Sequence, residues 1–191
     1  FREKNDEYYN EQYDLLKSSF QHLESNHKLL VPLYRTTRRN KKTITGEEIR
    51  KVIISFFENI LSKDNIDFHC ESSFLKYEFY SFESIINPVF INIFNNAVYW
   101  VKMREHRQIR IECNEKNEIL IMNSGEKMTY TDLTNCFELF FSKKPSGRGI
   151  GLYLAKTNLR SVNLDIYATN DENYNKLGGA CFVICTYGGE I

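Results

Sequence analysis

An excess of charge of either sign is missing from this sequence. Twenty-five Lys and Arg residues meet twenty-five Asp and Glu, so whole-chain electrostatics give no argument for nucleic acid or an anionic membrane as partner. No run approaches the ~18 consecutive apolar residues of a membrane-spanning helix. Histidines number four, none paired at metal-ligand spacing, which disfavours a zinc site. The five cysteines, Cys70, Cys113, Cys136, Cys181 and Cys185, are irregularly spaced and contain no C-x-x-C pair. They fit a reducing, cytoplasmic compartment better than a disulfide framework, with Cys181 and Cys185 on one face of a strand as core residues. The opening Phe1-Arg2-Glu3-Lys4 has neither an initiator Met nor an apolar signal core, and the sequence reads as a piece of a longer protein. What is present, 42% hydrophobic and 14% aromatic residues, excludes a disordered chain, and 191 residues suit one domain with a helical attachment.

The first forty residues read as helix. Tyr9, Tyr13, Leu16, Phe20, Leu23, Leu30 and Leu33 form a stripe that wants a partner helix, from a second copy or from upstream chain. Pro32 should interrupt it, and the basic cluster Arg35, Arg38, Arg39, Lys41 and Lys42 reads as a solvated helix end. The domain boundary is expected at residues 41–45, giving segments 1–43 and 44–191. Thr45-Gly46-Glu47-Glu48 is a capping-box helix start, followed by an apolar face through Ile49, Val52, Ile53, Phe56, Phe57 and Ile60. A short strand is expected around Ile66 and Phe68, then a long helix from Phe82 to Met103. Gln108 to Cys113 and Glu118 to Met122 alternate as two strands joined by Glu115-Lys116-Asn117. A loop-rich stretch to Arg148, a helix from Ile150 to Ser161, and strands at 164–168 and 180–187 complete the chain. This order predicts an α+β fold, a two-layer sandwich of a mixed sheet with helices on one face, preceded by an N-terminal helix. It does not alternate β and α regularly, which disfavours a Rossmann sheet.

Three places carry chemistry. Gly147, Gly149 and Gly151 alternate in Ser146-Gly147-Arg148-Gly149-Ile150-Gly151-Leu152, just before a predicted helix. Glycines let backbone approach a bulky anion, and the helix N-terminus supplies unpaired N–H groups, so the segment is a candidate phosphate cradle. It is not a Walker P-loop, and a tight loop without ligand would look the same. Asn92 and Asn96 are four apart on the long helix and share a face. Carboxamides on an apolar face are costly unless partnered; they are either structural or, through a carboxamide oxygen, ligands for Mg²⁺. Finally, Asn123-Ser124-Gly125 ends a strand, where a polar side chain and a glycine can read a ligand edge or simply make a turn.

In order and spacing these features resemble the GHKL superfamily, which includes histidine kinases, type II topoisomerases, heat-shock chaperones of the ninety-kilodalton class and mismatch-repair ATPases. The resemblance spans Thr45 to Tyr187, one nucleotide-binding domain of the Bergerat type. Asn92-Ile93-Phe94-Asn95-Asn96-Ala97 looks like the family's N box and Asn123-Ser124-Gly125 like its G1 box. Phe137-Glu138-Leu139-Phe140-Phe141-Ser142-Lys143-Lys144, running into Gly147 to Leu152, looks like the F and G2 boxes. Gly178-Gly179-Ala180-Cys181-Phe182 resembles the approach to the last strand.

The resemblance implies ATP and Mg²⁺ as cofactors. It places Asn96 on Mg²⁺, Trp100 against adenine or in the core, and Asn123 where an aspartate usually accepts a hydrogen bond from the adenine amino group. The Asn123 carbonyl can still accept, without charge, so adenine specificity is expected to survive in weakened form. Gly125 would let backbone pass close to the base. Lys144 would reach the terminal phosphate, while Lys143 and Lys144 also read as ordinary solvated charge. Gly147, Gly149 and Gly151 would admit the phosphates, with Arg148, Ile150 and Leu152 beside them.

Two departures stand out: Lys127 occupies the place of a second G1 glycine, and Asn92 that of a glutamate which in some family ATPases is the general base. A carboxamide takes no proton near neutral pH, which disfavours fast hydrolysis.

His27-Lys28-Leu29-Leu30-Val31-Pro32-Leu33 resembles a histidine-kinase H box, with Lys28 replacing its acidic residue. Catalysis by a kinase would rest on Asn92, Lys144 and His27 as phosphate acceptor. Yet Arg35 to Thr45 is too short to supply the second helix of a dimerisation hairpin. The expectation is therefore a nucleotide-driven switch with slow hydrolysis, its partners being upstream domains, an effector or a second copy through the N-terminal helix. A sensor kinase core is the alternative, and a nucleotide-free pseudo-ATPase is a third reading that draws on Asn123 and Lys127. Some bacterial proteins of this type are coupled to other effector domains.

Overall fold

The computed structural model describes residues 40–145 and 147–188. The expected N-terminal helix, with Pro32 and His27, lies outside the described residues except at its end, where Lys42 and Thr43 already belong to a strand. That strand, β1 (Lys42–Thr45), runs straight into helix α1 (Gly46–Lys63). The turn is fixed by the capping box: Thr45 Oγ1 accepts the Glu48 N–H at 3.2 Å, and Glu48 Oε2 accepts the Thr45 N–H at 2.8 Å. The helix buries Ile49, Ile53 and Phe57, spaced at four residues as the sequence requires.

After it come β2 (Asp67–Cys70), a single turn α2 (Ser72–Leu75), β3 (Glu78–Ser81) and the long α3 (Glu83–Val101). The chain continues with β4 (Gln108–Cys113), β5 (Ile119–Asn123), α4 (Tyr130–Asn135), α5 (Gly151–Arg160), β6 (Leu164–Thr169) and β7 (Cys181–Thr186). Five strands form one mixed sheet in the order β2-β4-β5-β7-β6, with β2 parallel to β4 and every other pair antiparallel. A separate ribbon pairs β1 with β3. The fold is the expected α+β one.

Helices α1, α3 and α5 cover one face of the sheet. Ile109, Ile111, Ile121, Phe182 and Ile166 meet Phe90, Phe94, Ala155 and Leu159 in a single core. Phe94 sits at its centre, with ring centroids 4.9 Å from Phe57 and 4.7 Å from Phe68. Twelve of the 19 residues of α3 are buried, Pro88 included, so its sequence shows little amphipathic stripe. Among the described residues, no helix is long and apolar enough to cross a membrane.

The structure departs from the alternation expected of β5, whose five residues are all buried. Ile119 and Ile121 join the helix-side core, whereas Leu120 and Met122 join Cys181 and Val183 in a second layer on the opposite face. Tyr167, Tyr174 and Leu177 cover that layer, so a central strand loses its polar side. All five cysteines are free; Cys181 belongs to this second layer and Cys185 is half-buried. The stretch expected as loop contains α4, whose Thr129 and Asp132 repeat the capping box of α1.

Candidate functional site

The helix-side face of the sheet brings the three sequence signals toward one another. Helix α3 projects Asn92 and Asn96 as half-buried carboxamides among buried Ile91, Ile93, Phe94 and Ala97. Neither side chain makes a hydrogen bond within the described residues. Asn92 faces the first residue of α5: its Oδ1 lies 3.4 Å from where a Cβ on Gly151 would stand. The N-box helix and the G2 glycines thus share a wall. Ile150 caps α5 without a side-chain hydrogen bond, which leaves the helix's first N–H groups to a ligand or to solvent.

The glycine loop before α5 is folded back on the F-box residues. Gly149 has φ +65, and a Cβ there would collide with the backbone of Phe140 and Phe141. Phe140, itself at φ 68, donates its N–H to the Gly149 carbonyl at 3.0 Å and leaves its ring 72% exposed. A left-handed, exposed phenylalanine is held there by its neighbours, because its own preferences oppose the arrangement. Gly147 packs against Ser142 and Lys144, and Arg148 is half-buried in the same loop.

At the other end of α3, Trp100 backs the strand-end glycine. Its Cβ lies 2.8 Å from the place a Cβ on Gly125 would occupy, so only hydrogen fits. Beside it Asn123 is 1% exposed, and its Oδ1 accepts the Gly125 N–H at 2.8 Å. Asn123 Nδ2 is buried with no partner. Gly179, whose carbonyl accepts from Asn175 Nδ2, sits so close that any side chain would strike the Asn123 carbonyl and the Gly125 nitrogen. Gly179 and Tyr99 are site residues the sequence did not single out. The Gly178-Gly179 pair was its one hint, because glycine ahead of a strand marks close backbone approach.

The two lysines separate. Lys143 pairs with Asp132 at 2.8 Å and so belongs to the N-terminal cap of α4. The half-buried Lys144 ammonium lies 4.5 Å from the centroid of the Tyr99 ring, next to Trp100, whose own ring is 5.1 Å from Tyr99. Burial pushes the Lys144 pKa down to about 8. An amine with this pKa is cationic below pH 8 and neutral above it, so any phosphate it holds should bind more weakly as pH rises. Anion affinity should fall about fivefold between pH 8 and 9, in proportion to the cationic fraction, and Lys144→Gln should flatten that slope. Titrating nucleotide affinity across pH 7 to 9 checks this.

The residues fit a nucleotide: glycine cradles that a Cβ would fill, an uncapped helix start, two free carboxamides on α3, a desolvated cation and an orphaned amide donor. Both Asn92 and Asn96 are free to offer an oxygen to a hard cation. Lys127 is exposed, and His27 lies outside the described residues. A cleft of about 620 Å³ on the opposite face of the sheet contains none of these residues. Its walls are already paired, Arg110 with Glu71 and Lys176 with Glu112.

Comparisons with known proteins show the same fold. The catalytic domain of the histidine kinase ThkA, in a nucleotide-free form, superposes with a TM-score of 0.64 at 23% identity, covering 78% of this chain and 95% of that one. A mycobacterial sensor histidine kinase, MprB, gives 0.61 at 16% identity over 76% of this chain and 96% of that one. The Acinetobacter baumannii histidine kinase AdeS gives 0.57 at 16% identity over 91% and 80%. At such identities the likeness is one of fold. No curated protein matches by sequence. The family described as histidine kinase-, DNA gyrase B-, and HSP90-like ATPase matches residues 83–187, more than half of the chain and every described box from Asn92 to the last strand. The chain therefore belongs to the histidine kinase-, DNA gyrase B- and HSP90-like ATPase family.

Proposed function

We propose that this domain is a Mg²⁺-dependent ATP-binding switch that hydrolyses its nucleotide slowly. The observation that carries the reading is Asn92 beside Gly151: the α3 side chain nearest the glycine loop is a carboxamide, which cannot take a proton from water near neutral pH. Asn96 would hold Mg²⁺, which supplies charge neutralisation at the phosphates. Lys144 would turn from the Tyr99 ring to the terminal phosphate. Gly147, Gly149 and Gly151 would admit the phosphates, flanked by Arg148, Ile150 and Leu152, and Trp100 would lie against the base with Asn123 and Gly125 at its edge.

The switch would be the stretch from Glu126 to Pro145, which the Phe140–Gly149 hydrogen bond ties to the glycine loop. Its outputs would be the N-terminal segment, a second copy, or further domains of a larger protein. The kinase reading is favoured by the H-box-like stretch at His27 and by the fold shared with kinase catalytic domains.

One experiment separates the two. The protein is incubated with Mg²⁺ and excess γ-labelled ATP, and the label is followed. Slow release as free phosphate, with none on protein, is the expected result. Acid-labile label on the protein, lost in His27→Ala, would replace the switch by a histidine kinase. Label that stays on ATP despite saturating binding would leave a binding module without turnover.

A further inference from the structure

We infer that Asn123 turns the base specificity of this site from adenine toward 6-oxopurines, so that inosine and guanosine triphosphates are bound in preference to ATP. The inference rests on the nucleotide-binding reading above and concerns only the edge of the base. Its starting point is the orientation of one amide. Asn123 ends β5 on the helix-facing side of the sheet, in line with Ile119 and Ile121. Its Oδ1 is fixed by the Gly125 N–H at 2.8 Å, and Gly125 and Gly179 crowd it closely enough that a Cβ on either would lie within 2.9 Å. Turning the amide over would set Nδ2 against that N–H, donor against donor, so the assignment of oxygen and nitrogen is determined by the backbone. The free end of the amide is therefore Nδ2, a donor, and it is buried without a partner.

A buried donor without an acceptor is costly, and a ligand that supplies the acceptor recovers that cost. An aspartate in the same pose would present an acceptor, which suits the exocyclic amino group of adenine. The Asn123 Nδ2 meets that amino group donor to donor, whereas the 6-keto oxygen of hypoxanthine or guanine accepts from it. A second orphan lies in the same row of the sheet. Asn170 lies one residue beyond the Thr169–Cys181 pair, as Asn123 lies one beyond Met122–Cys181, so the two flank Ala180 in one row of the sheet. Asn170 Nδ2 donates to the Met128 carbonyl at 2.6 Å, and Met128 packs on the helix-side core. The buried Asn170 Oδ1 has no donor. Asn170 stands two strands from Asn123, roughly 10 Å across the sheet, so it does not share one base edge with Asn123, and the selection at the 6-position rests on Asn123 alone.

The test is equilibrium binding of ITP, GTP and ATP, each with Mg²⁺, to the full 191-residue chain and to Asn123→Asp. ITP should bind about tenfold or more tightly than ATP to the unaltered protein, as expected for one mispaired buried hydrogen bond. Asn123→Asp should invert the ratio. An ATP preference in the unaltered protein overturns the inference while leaving the nucleotide site in place. If none of the three binds, the nucleotide reading itself falls, and this inference with it. The ITP-to-ATP ratio of the unaltered chain decides the matter even should the variant fail to fold.

Discussion

Gly149→Val should abolish Mg²⁺-nucleotide binding, with at least a hundredfold loss of affinity, while the core stays folded. Three effects converge on this residue. Its φ of +65 lies in the left-handed region, where a β-branched side chain is strongly disfavoured. A Cβ there would strike the Phe140 and Phe141 backbone, which cannot swing aside as a flexible side chain can. Relieving the clash breaks the Phe140 N–H to Gly149 carbonyl bond and displaces the residues just before α5. The strain alone is of order 1–3 kcal/mol, but the loss of binding is larger because the whole approach to the helix start is rebuilt. Ala155 and Leu159, the residues that α5 gives to the core, lie beyond its first turn, so the melting temperature should fall by only a few degrees. Gly147→Ala is the informative contrast: the atom nearest a Cβ there is the Ser142 hydroxyl, which can rotate away, while the Lys144 Cβ at 2.8 Å must shift a little with its backbone, and its loss should be several-fold. Calorimetric titration of each variant, beside its melting curve, checks both. Unchanged affinity in Gly149→Val would remove the glycine loop from the site.

Much of this was legible before any coordinates, for reasons that can be traced to particular residues. The capping box at Thr45 and the four-residue spacing of Ile49, Ile53 and Phe57 are local signals, and local structure honours them. Strand β4 matches its expected bounds, Gln108 to Cys113, because Ile109 and Ile111 alternate with exposed or half-buried partners. Strand β5 shows no such alternation, since the helices cover one of its faces and Tyr167, Tyr174 and Leu177 the other. Strands β1 and β3 were missed: each is four residues long, and they pair with one another across α1 and β2, which no local pattern reveals. Helix α4 was missed because its cap carries Asp132 where Glu or Gln usually stands.

The site divides in the same way. Glycine spacing and the paired asparagines expose the loop and the helix face, but the direction of an amide is a tertiary fact. The Asn123 carbonyl, expected to face a base amino group, is instead engaged by Gly125. Likewise Lys144 reads from sequence either as a lysine that reaches the terminal phosphate or as solvated charge, and its half-burial against Tyr99, with a lowered pKa of about 8, is visible in neither reading.

Asn92→Glu should raise the rate of nucleotide hydrolysis by about 10²–10⁴-fold, the range that a positioned general base contributes. The residue faces Gly151 at the start of α5, so a carboxylate there sits beside the uncapped N–H groups of that helix. That placement stabilises the anion, and the half-buried position leaves room for one more methylene on α3. The variant should therefore fold and bind nucleotide much as the unaltered chain does. What changes is that water lying between α3 and the glycine loop gains a proton acceptor. The readout is the single-turnover rate of phosphate release at saturating nucleotide, followed against pH. The gain should vanish as the pH falls below the range where the new carboxylate is ionised, a signature that a purely structural effect would not produce. A variant that binds nucleotide normally yet hydrolyses it no faster would show that the missing base does not limit turnover. The slowness would then lie in the lid, which the Phe140–Gly149 hydrogen bond couples to the glycine loop.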